Sequence, residues 1–553
     1  MNRLQPFLGQ RPQARFFAIL FSCLFIIFSA CSQPPPKAQY RFIYNNDGTE
    51  ILGNRWHQGR PLTIDDVHSY VDIVAETPVT TFMICSGSML TYYKSQYERP
   101  LGVLAEDQQR DEANEPNLNE NILLYERNYR LLQEQGTDIV ALCVNRAKEK
   151  GMEAFITMRM NDLHFADPEL HDPRVQSDFW LQHPEWRMGD YPGWHADGAL
   201  NFAHEGVRAY RLNLIREQCE LYDIDGIELD FMRFVVYFPH GKGREYLAVM
   251  TDFMQKARAI VDEVGKKRGR PILLAVRVPA RFDLCLEKGL DVPAWERKQF
   301  IDMISVSSHW LGDPALPVGE FKQKLGPTTI PVYASLETGQ YNPYQFRSHG
   351  MYRAVAARCL QNGADGIYVF NFFFKSYLEK RADCSDQQGQ VVCAEKAPEL
   401  LAELANSPSL RGRNKLYSLS DGMTEYGYQP NTPLPVLVSP WDQVRFDFEL
   451  AEDVGQLKPK NAYLFLRFDR SEKVQIFFNG QATLAADTTL IEAFKRDVNL
   501  RDSEYVEVKS VPLDALQDGP NQIAIRSSSS TPLLLKRAEM AVVYGEVETH
   551  GYF

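Results

Sequence analysis

No apolar run in this chain is long enough to cross a bilayer as a helix; the candidate, Phe16 to Phe28, falls short of the roughly 20 residues a span needs. No basic stripe is present either. Against 60 Lys and Arg stand 72 Asp and Glu, a net charge of −12, which argues against a nucleic-acid partner. The same balance argues against strongly polyanionic substrates unless a local basic pocket overrides it. Cysteine is sparse, nine in 553 residues, with no C-x-x-C pair and no zinc-ligand pattern. Cys85, Cys143, Cys219, Cys285 and Cys359 sit in apolar contexts and read as buried free thiols. Cys384 and Cys393 bracket a polar loop, "CSDQQGQVVC", a spacing that suits a local disulfide in an oxidising compartment. Low-complexity sequence is confined to a Pro-rich spacer, and with 44% hydrophobic residues the chain has the composition of a folded globular protein.

The N-terminus carries an address. Arg3, Arg11 and Arg15 precede the apolar run, as in an export signal. The run ends "FSACSQPPPK", which resembles the lipobox of bacterial lipoproteins, although Phe28 stands where such signals usually carry Leu. That resemblance implies a signal peptide over 1–30, lipidation of Cys31 and a Pro-rich tether over 31–39. The protein would then be a cell-envelope lipoprotein held on a lipid bilayer rather than threaded through it. A plain secretory signal is the alternative.

From 40 to 400, short apolar runs alternate with helical patterns. The runs are "YRFIYNN", "TTFMICS", "EAFITMRMN", "DGIELDFMR", "PILLAVRVP", "DMISVSSHW", "PVYASLE" and "DGIYVFNFF". Between them, 244–264 and 344–362 repeat apolar residues at three- and four-residue spacing, and Gly151 and Gly363 are placed to stop helices. Eight continuous apolar strands separated by helices predict an α/β fold, a closed (β/α)8 TIM barrel. A doubly wound open sheet is the rival, but no glycine-rich phosphate turn follows the first strand. Over 401–553, β alternation takes over, with an Asn479-Gly480 hairpin turn, and predicts a smaller C-terminal β-sandwich. "VQIFFNGQ" and "VPLDALQDGPNQIAIR" resemble the galactose-binding-like jelly-roll modules attached to carbohydrate enzymes. A sandwich that merely props up the barrel is the other reading.

In such a barrel, reactive groups collect at the carboxyl ends of the strands. Alternation puts Gly226, Glu228 and Asp230 on one face of the fourth strand, and Tyr333, Ser335 and Glu337 on one face of the seventh. The fifth offers Arg277; the third offers Arg159 and Asn161, followed by His164. The sixth ends in His309 and Trp310, Asn371 lies near the end of the eighth, and Asn45 and Asn46 near the end of the first. Paired carboxylates are the chemistry of glycosidic-bond cleavage: one protonates the leaving oxygen, the other attacks the anomeric carbon or activates water. A layer of buried salt bridges, with Glu228 on Arg277 or Arg159, is the structural alternative. The long stretch 162–203 holds Trp180, Trp186, Trp194, His164, His183 and His195. Indole faces beside polar groups suit sugar rings, or else fill the loop's own small core.

The order "MRMNDLH", "DGIELDFMR", "SHW", "DGIYVFNFF" resembles the family 10-type glycosidase-like barrels, often lipoproteins or secreted proteins. The resemblance implies hydrolysis of glycosidic bonds in a carbohydrate substrate. "DGIELDF" is also similar to the D-G-x-D-x-D-x-E strand of chitinase-like barrels, but Met232 stands where those carry their proton donor, which speaks against chitinase chemistry. The expected catalytic group is therefore Asp230 and Glu337, with Glu228 as a substitute member or as the group that tunes Asp230. Arg159, Asn161, His164, Arg233, Arg277, His309, Trp310 and Asn371 are the expected substrate-binding residues. No metal or organic cofactor is implied, since "YRFIYNNDG" lacks the His-x-His of an amidohydrolase-type barrel. The alternatives are a non-catalytic glycan-binding lipoprotein and a barrel hydrolase or lyase acting on a non-sugar substrate.

Overall fold

Each of the eight apolar runs contains a strand: β1 (Phe42–Asn46), β2 (Thr81–Cys85), β3 (Glu153–Arg159), β4 (Gly226–Asp230), β5 (Leu273–Pro279), β6 (Met303–Ser307), β7 (Val332–Glu337) and β8 (Ile367–Phe370). All eight pair in parallel, and β1 also pairs with β8, so the sheet closes into a barrel. The computed structural model describes residues 40–53, 60–104, 120–170, 172–308, 315–337, 349–372, 374, 398–420, 432–486 and 505–546. The expected lipidation site Cys31 and the rest of the N-terminal export signal lie outside them, as do His309, Trp310, Cys384 and Cys393.

The strands read as unbroken apolar runs because both faces are covered. Ile227, Leu229, Leu274, Val276, Ile304 and Val306 face the helices, while Ile43, Met83, Phe155, Met303, Tyr333 and Tyr368 form a separate core inside the barrel. The helix Leu247–Arg268 matches the periodicity seen over 244–264. Gly151 and Gly363 follow the helices Ile139–Glu149 and His349–Gln361 with φ of 82° and 87°, the left-handed conformation that ends a helix. Among the described helices, none is long and apolar enough to cross a membrane.

The base of the barrel is tied by carboxylates placed just before strands. Asp225 accepts from Ala154 N at 2.9 Å and Arg270 Nη1 at 2.7 Å. Asp302 accepts from Leu274 N, and Asp365 from Val332 N. Each takes up a backbone donor at the start of the preceding strand, which fixes register at the end away from the mouth. The five cysteines read as free thiols are free and buried.

The C-terminal part is a two-sheet sandwich. One sheet holds β9 (Lys415–Ser420), β10 (Val436–Val438), β12 (Asn461–Phe468), β15 (Leu484–Ala485), β16 (Tyr505–Ser510) and β18 (Leu533–Val543); the other holds β11 (Gln443–Leu450), β13 (Val474–Phe478), β14 (Gln481–Ala482) and β17 (Gly519–Ser527). Asn479 and Gly480, both at positive φ, join β13 to β14 as a hairpin. Between the sheets pack Leu464, Leu466, Phe478, Ile523, Ile525 and Met540. The sandwich leans on the barrel helix His349–Gln361, where Arg358 meets Glu449 at 2.7 Å.

Candidate active site

Period-two alternation brings Glu228 and Asp230 inside the barrel, and the parallel register sets Asp230 beside Arg277. Arg277 Nη1 donates to Asp230 Oδ2 at 2.8 Å, while its Nη2 reaches Glu337 Oε1 and, at 3.1 Å, Ser307 Oγ. Asp230 and Glu337, from β4 and β7, are therefore joined by one guanidinium, at 1% and 3% exposure. That bridge keeps the facing oxygens within roughly 10 Å of each other, the reach over which paired carboxyls flank a glycosidic bond.

The two carboxyls are held differently. Asp230 Oδ1 also accepts the backbone N–H of Met232 at 2.8 Å and of Arg233 at 3.0 Å, so three donors converge on it. Both bonds to Glu337 end on Oε1, from Arg277 and from Ser307 at 2.7 Å, and among the described residues Oε2 has no partner. Glu228 lies one inward position below Asp230 and pairs with neither Arg277 nor Arg159. Its Oε1 accepts from Thr157 Oγ1 at 2.8 Å and Tyr368 OH at 2.9 Å, and its Oε2 has no partner among the described residues. Burial, and then the charge of Asp230, raises the Glu228 carboxyl to about 7. The site thus contains one carboxyl that titrates near neutrality beneath another that is heavily hydrogen-bonded.

A second cluster lies across the mouth, at the ends of β1, β3, β4 and β8. Arg159 donates to Asp162 at 2.8 Å and to Asp47 at 3.2 Å. Asn371, at φ 53°, donates to Asp47 at 2.9 Å and accepts the Asp47 N–H at 3.2 Å. Burial pushes both the Asp47 and Asp162 carboxyls up, but Arg159, the Thr49 hydrogen bonds and Arg233 together outweigh it for Asp47, and His164, Arg159 and Arg233 together for Asp162; both end below the usual carboxylate range. His164 Nδ1 meets Asp162 at 2.6 Å and its Nε2 meets Arg233 Nη2 at 2.9 Å. A guanidinium can only donate, so Nε2 accepts, and the ring is neutral with its proton on Nδ1. Burial lowers the His164 pKa despite the pull of Asp162. Burial and then Arg159 push Arg233 down to about 10, still charged at neutral pH.

Not every singled-out residue faces the mouth. Asn161 donates to Leu200 O at 2.9 Å and Val236 O at 2.6 Å and accepts from Leu200 N, so its amide stitches the loop after β3 to the loop after β4. Asn46 bonds Tyr70 and Gly48, whereas the Asn45 amide points inside the barrel without a partner among the described residues. Trp180 is buried under Arg187 and donates to Gly198 O, and Trp186 stacks on His183: both fill the loop's own core. Trp194 is 49% exposed and stands edge-on to His164, beside Phe234. Sequence reasoning passed over Asp47, Asp162, Ser307 and Tyr368. Asp47 and Asp162 could have been found as acids directly after β1 and β3; Ser307 and Tyr368 only from their inward parity.

No family model matches the chain, and no curated protein matches it in sequence. Among solved structures, α-L-fucosidase isoenzyme 2 from Paenibacillus thiaminolyticus aligns over 66% of this chain and 48% of its own, at 14% identity and a TM-score of 0.37. The chain thus spans about half the length of that enzyme. The PgaB (BpsB) glycoside hydrolase domain from Bordetella bronchiseptica aligns over 62% of this chain and 96% of its own, at 10% identity and a TM-score of 0.39. A noncanonic maltogenic α-amylase from Thermotoga neapolitana aligns over 91% and 99%, at 10% identity and a TM-score of 0.35.

Proposed function

We infer that the chain is a glycoside hydrolase of the family 10-type glycosidase-like barrels, acting on a carbohydrate through Asp230 and Glu337. The observation that carries this reading is their convergence on the single guanidinium of Arg277 at the carboxyl end of the barrel. Asp230, with three donors, suits the anionic role: nucleophile, or stabiliser of an oxocarbenium-like transition state. Glu337, with Oε2 unpartnered among the described residues, suits proton transfer to the leaving oxygen. Glu228 lies too deep to touch a sugar and acts as a positioning residue, setting the field at Asp230. Arg233, oriented by His164 and Asp162, and the exposed face of Trp194 form the rim on which a sugar would rest.

The guanidinium between the two carboxyls favours a second reading, glycan capture without turnover, because it occupies space a scissile bond would use. A panel of oligosaccharides incubated with the full chain and with Asp230→Asn and Glu337→Gln separates the two. Under the hydrolase reading each variant loses on the order of a hundredfold or more in turnover while binding is kept. Parent-like activity in both variants would sink the assignment, and glycans bound but never cleaved would establish capture. The export signal and the lipid on Cys31 belong to the same proposal: Cys31→Ser should abolish palmitate labelling and release the protein from membranes.

A further inference from the structure

Away from the carboxylate site, a cavity of about 330 Å³ opens between the loops that follow β3, β4 and β5, and its lining includes Tyr191, Phe238, His240, Arg244, Glu287 and Lys288. We propose that it is a subsite for one carboxylate-bearing sugar residue, the carboxylate held by Lys288 Nζ and the Tyr191 hydroxyl. This rests on the glycan reading above and specifies an acidic residue within the substrate.

Three loops that leave the carboxyl ends of consecutive strands put the cavity on the same end of the barrel as Asp230. It adjoins β4 directly: Tyr237, another lining residue, donates to the carbonyl of Phe231, the residue after Asp230, at 2.9 Å. The walls are tightly built. A Cβ on Gly243 would lie 2.1 Å from Glu287 O, and one on Gly289 would lie 2.5 Å from the Phe238 ring, so these glycines let the two loops close against each other. The volume sits at the small end of ligand pockets, enough for a single ring rather than a chain.

The chemistry of the lining selects the guest. Lys288 Nζ donates to Tyr191 OH at 3.0 Å and forms no ion pair among the described residues. Burial pushes this ammonium down to about 8 despite the nearby charge of Glu287, so it is held against desolvation with a neutral hydroxyl as its hydrogen-bond partner. Two of its three N–H donors remain for a guest. Burial also raises Tyr191 to about 12, so the hydroxyl keeps its proton and, having accepted from Lys288, can donate. Lys288 and Arg244 against Glu287 leave the lining one positive charge in excess, in a protein whose net charge is −12. That suits a singly charged carboxylate rather than a phosphate dianion. The Tyr191 ring, with His240 edge-on to it at 5.2 Å, supplies the flat face on which a sugar ring rests.

The test is a ligand-observed NMR titration of the full chain with sodium glucuronate, glucose and acetate. Glucuronate should bind at least tenfold more tightly than glucose, which lacks the charge, or acetate, which lacks the ring. Lys288→Met should weaken glucuronate at least tenfold and leave glucose unchanged. Tyr191→Phe, which keeps the ring and the fold, should weaken glucuronate at least threefold, and Asp230→Asn should not weaken it. Glucuronate binding no better than glucose or acetate, or insensitive to both pocket variants, overturns the proposal; so does its loss in Asp230→Asn, which would put the acid in the barrel mouth. Turnover of neutral glycans without these effects removes the subsite and leaves the hydrolase. Glucuronate binding that obeys them with no glycan cleaved removes the hydrolase and leaves the subsite.

Discussion

Replacing Glu228 by Gln should make the protein more stable at alkaline pH, and the structure fixes both sign and size. Glu228 is fully buried; two donors meet its Oε1 and, among the described residues, none meets Oε2. Burial, followed by the Asp230 charge, raises its carboxyl from 4.5 to about 7. Between those values the folded state holds a proton that the unfolded chain has released. The contribution to stability is therefore complete below 4.5 and is lost as the pH rises through 7. A rise of that size is worth about 3 kcal/mol. Gln keeps a carbonyl acceptor for Thr157 and Tyr368, and its amide stands where the protonated acid carries its O–H. Both leave a donor unpartnered, so that cost cancels at low pH. Midpoints of urea unfolding, followed by circular dichroism at pH 4.5 to 8.5, should start close together and then diverge. By pH 8.5 the variant should lead by about 3 kcal/mol. Parallel curves, or a parent that gains on the variant as pH rises, would refute the claim that a buried carboxyl ionises beneath Asp230.

Arg277→Met strands two carboxylates that are 1% and 3% exposed, and should cost about 3–5 kcal/mol in denaturant unfolding at pH 7; a loss below about 1 kcal/mol would mean the triad is not closed in solution. Asn161→Ala removes three bonds, two within the loop after β3 and one from it to the loop after β4, and should cost about 1–3 kcal/mol and speed proteolytic cleavage within 162–203. Unchanged cleavage would show the stitch to be dispensable. Trp194→Ala, at a half-exposed position, should leave stability within about 0.5 kcal/mol while weakening glycan binding severalfold; intact binding would take this indole out of the rim.

What could be read from the sequence, and what could not, divides along one physical line. A strand covered on both faces is an unbroken apolar run, so the eight strands of the barrel and the parity of every inward residue were legible from local pattern alone. Parity put Glu228, Asp230, Arg277 and Glu337 inside as a set. It could not pair them. Which carboxyl meets which guanidinium depends on register and closure, and those are settled by residues elsewhere in the sequence. The Ser307–Arg277–Glu337 contact spans 30 and 60 positions, and nothing local to any of the three announces it. The same limit applies to Arg277 itself, expected to hold substrate and steer the carboxylates: which two carboxylates it bridges could not be read locally. It also explains why "DGIELDF" carries two kinds of acid under one appearance. Asp225 ends at the closed base as a partner for a backbone N–H, while Asp230, five residues on, stands at the open end with its own donors around it. Along a barrel strand, face follows from parity and height from position. Charge pairing follows from neither, and it is the pairing that decides whether an interior carboxylate is a brace or a reagent.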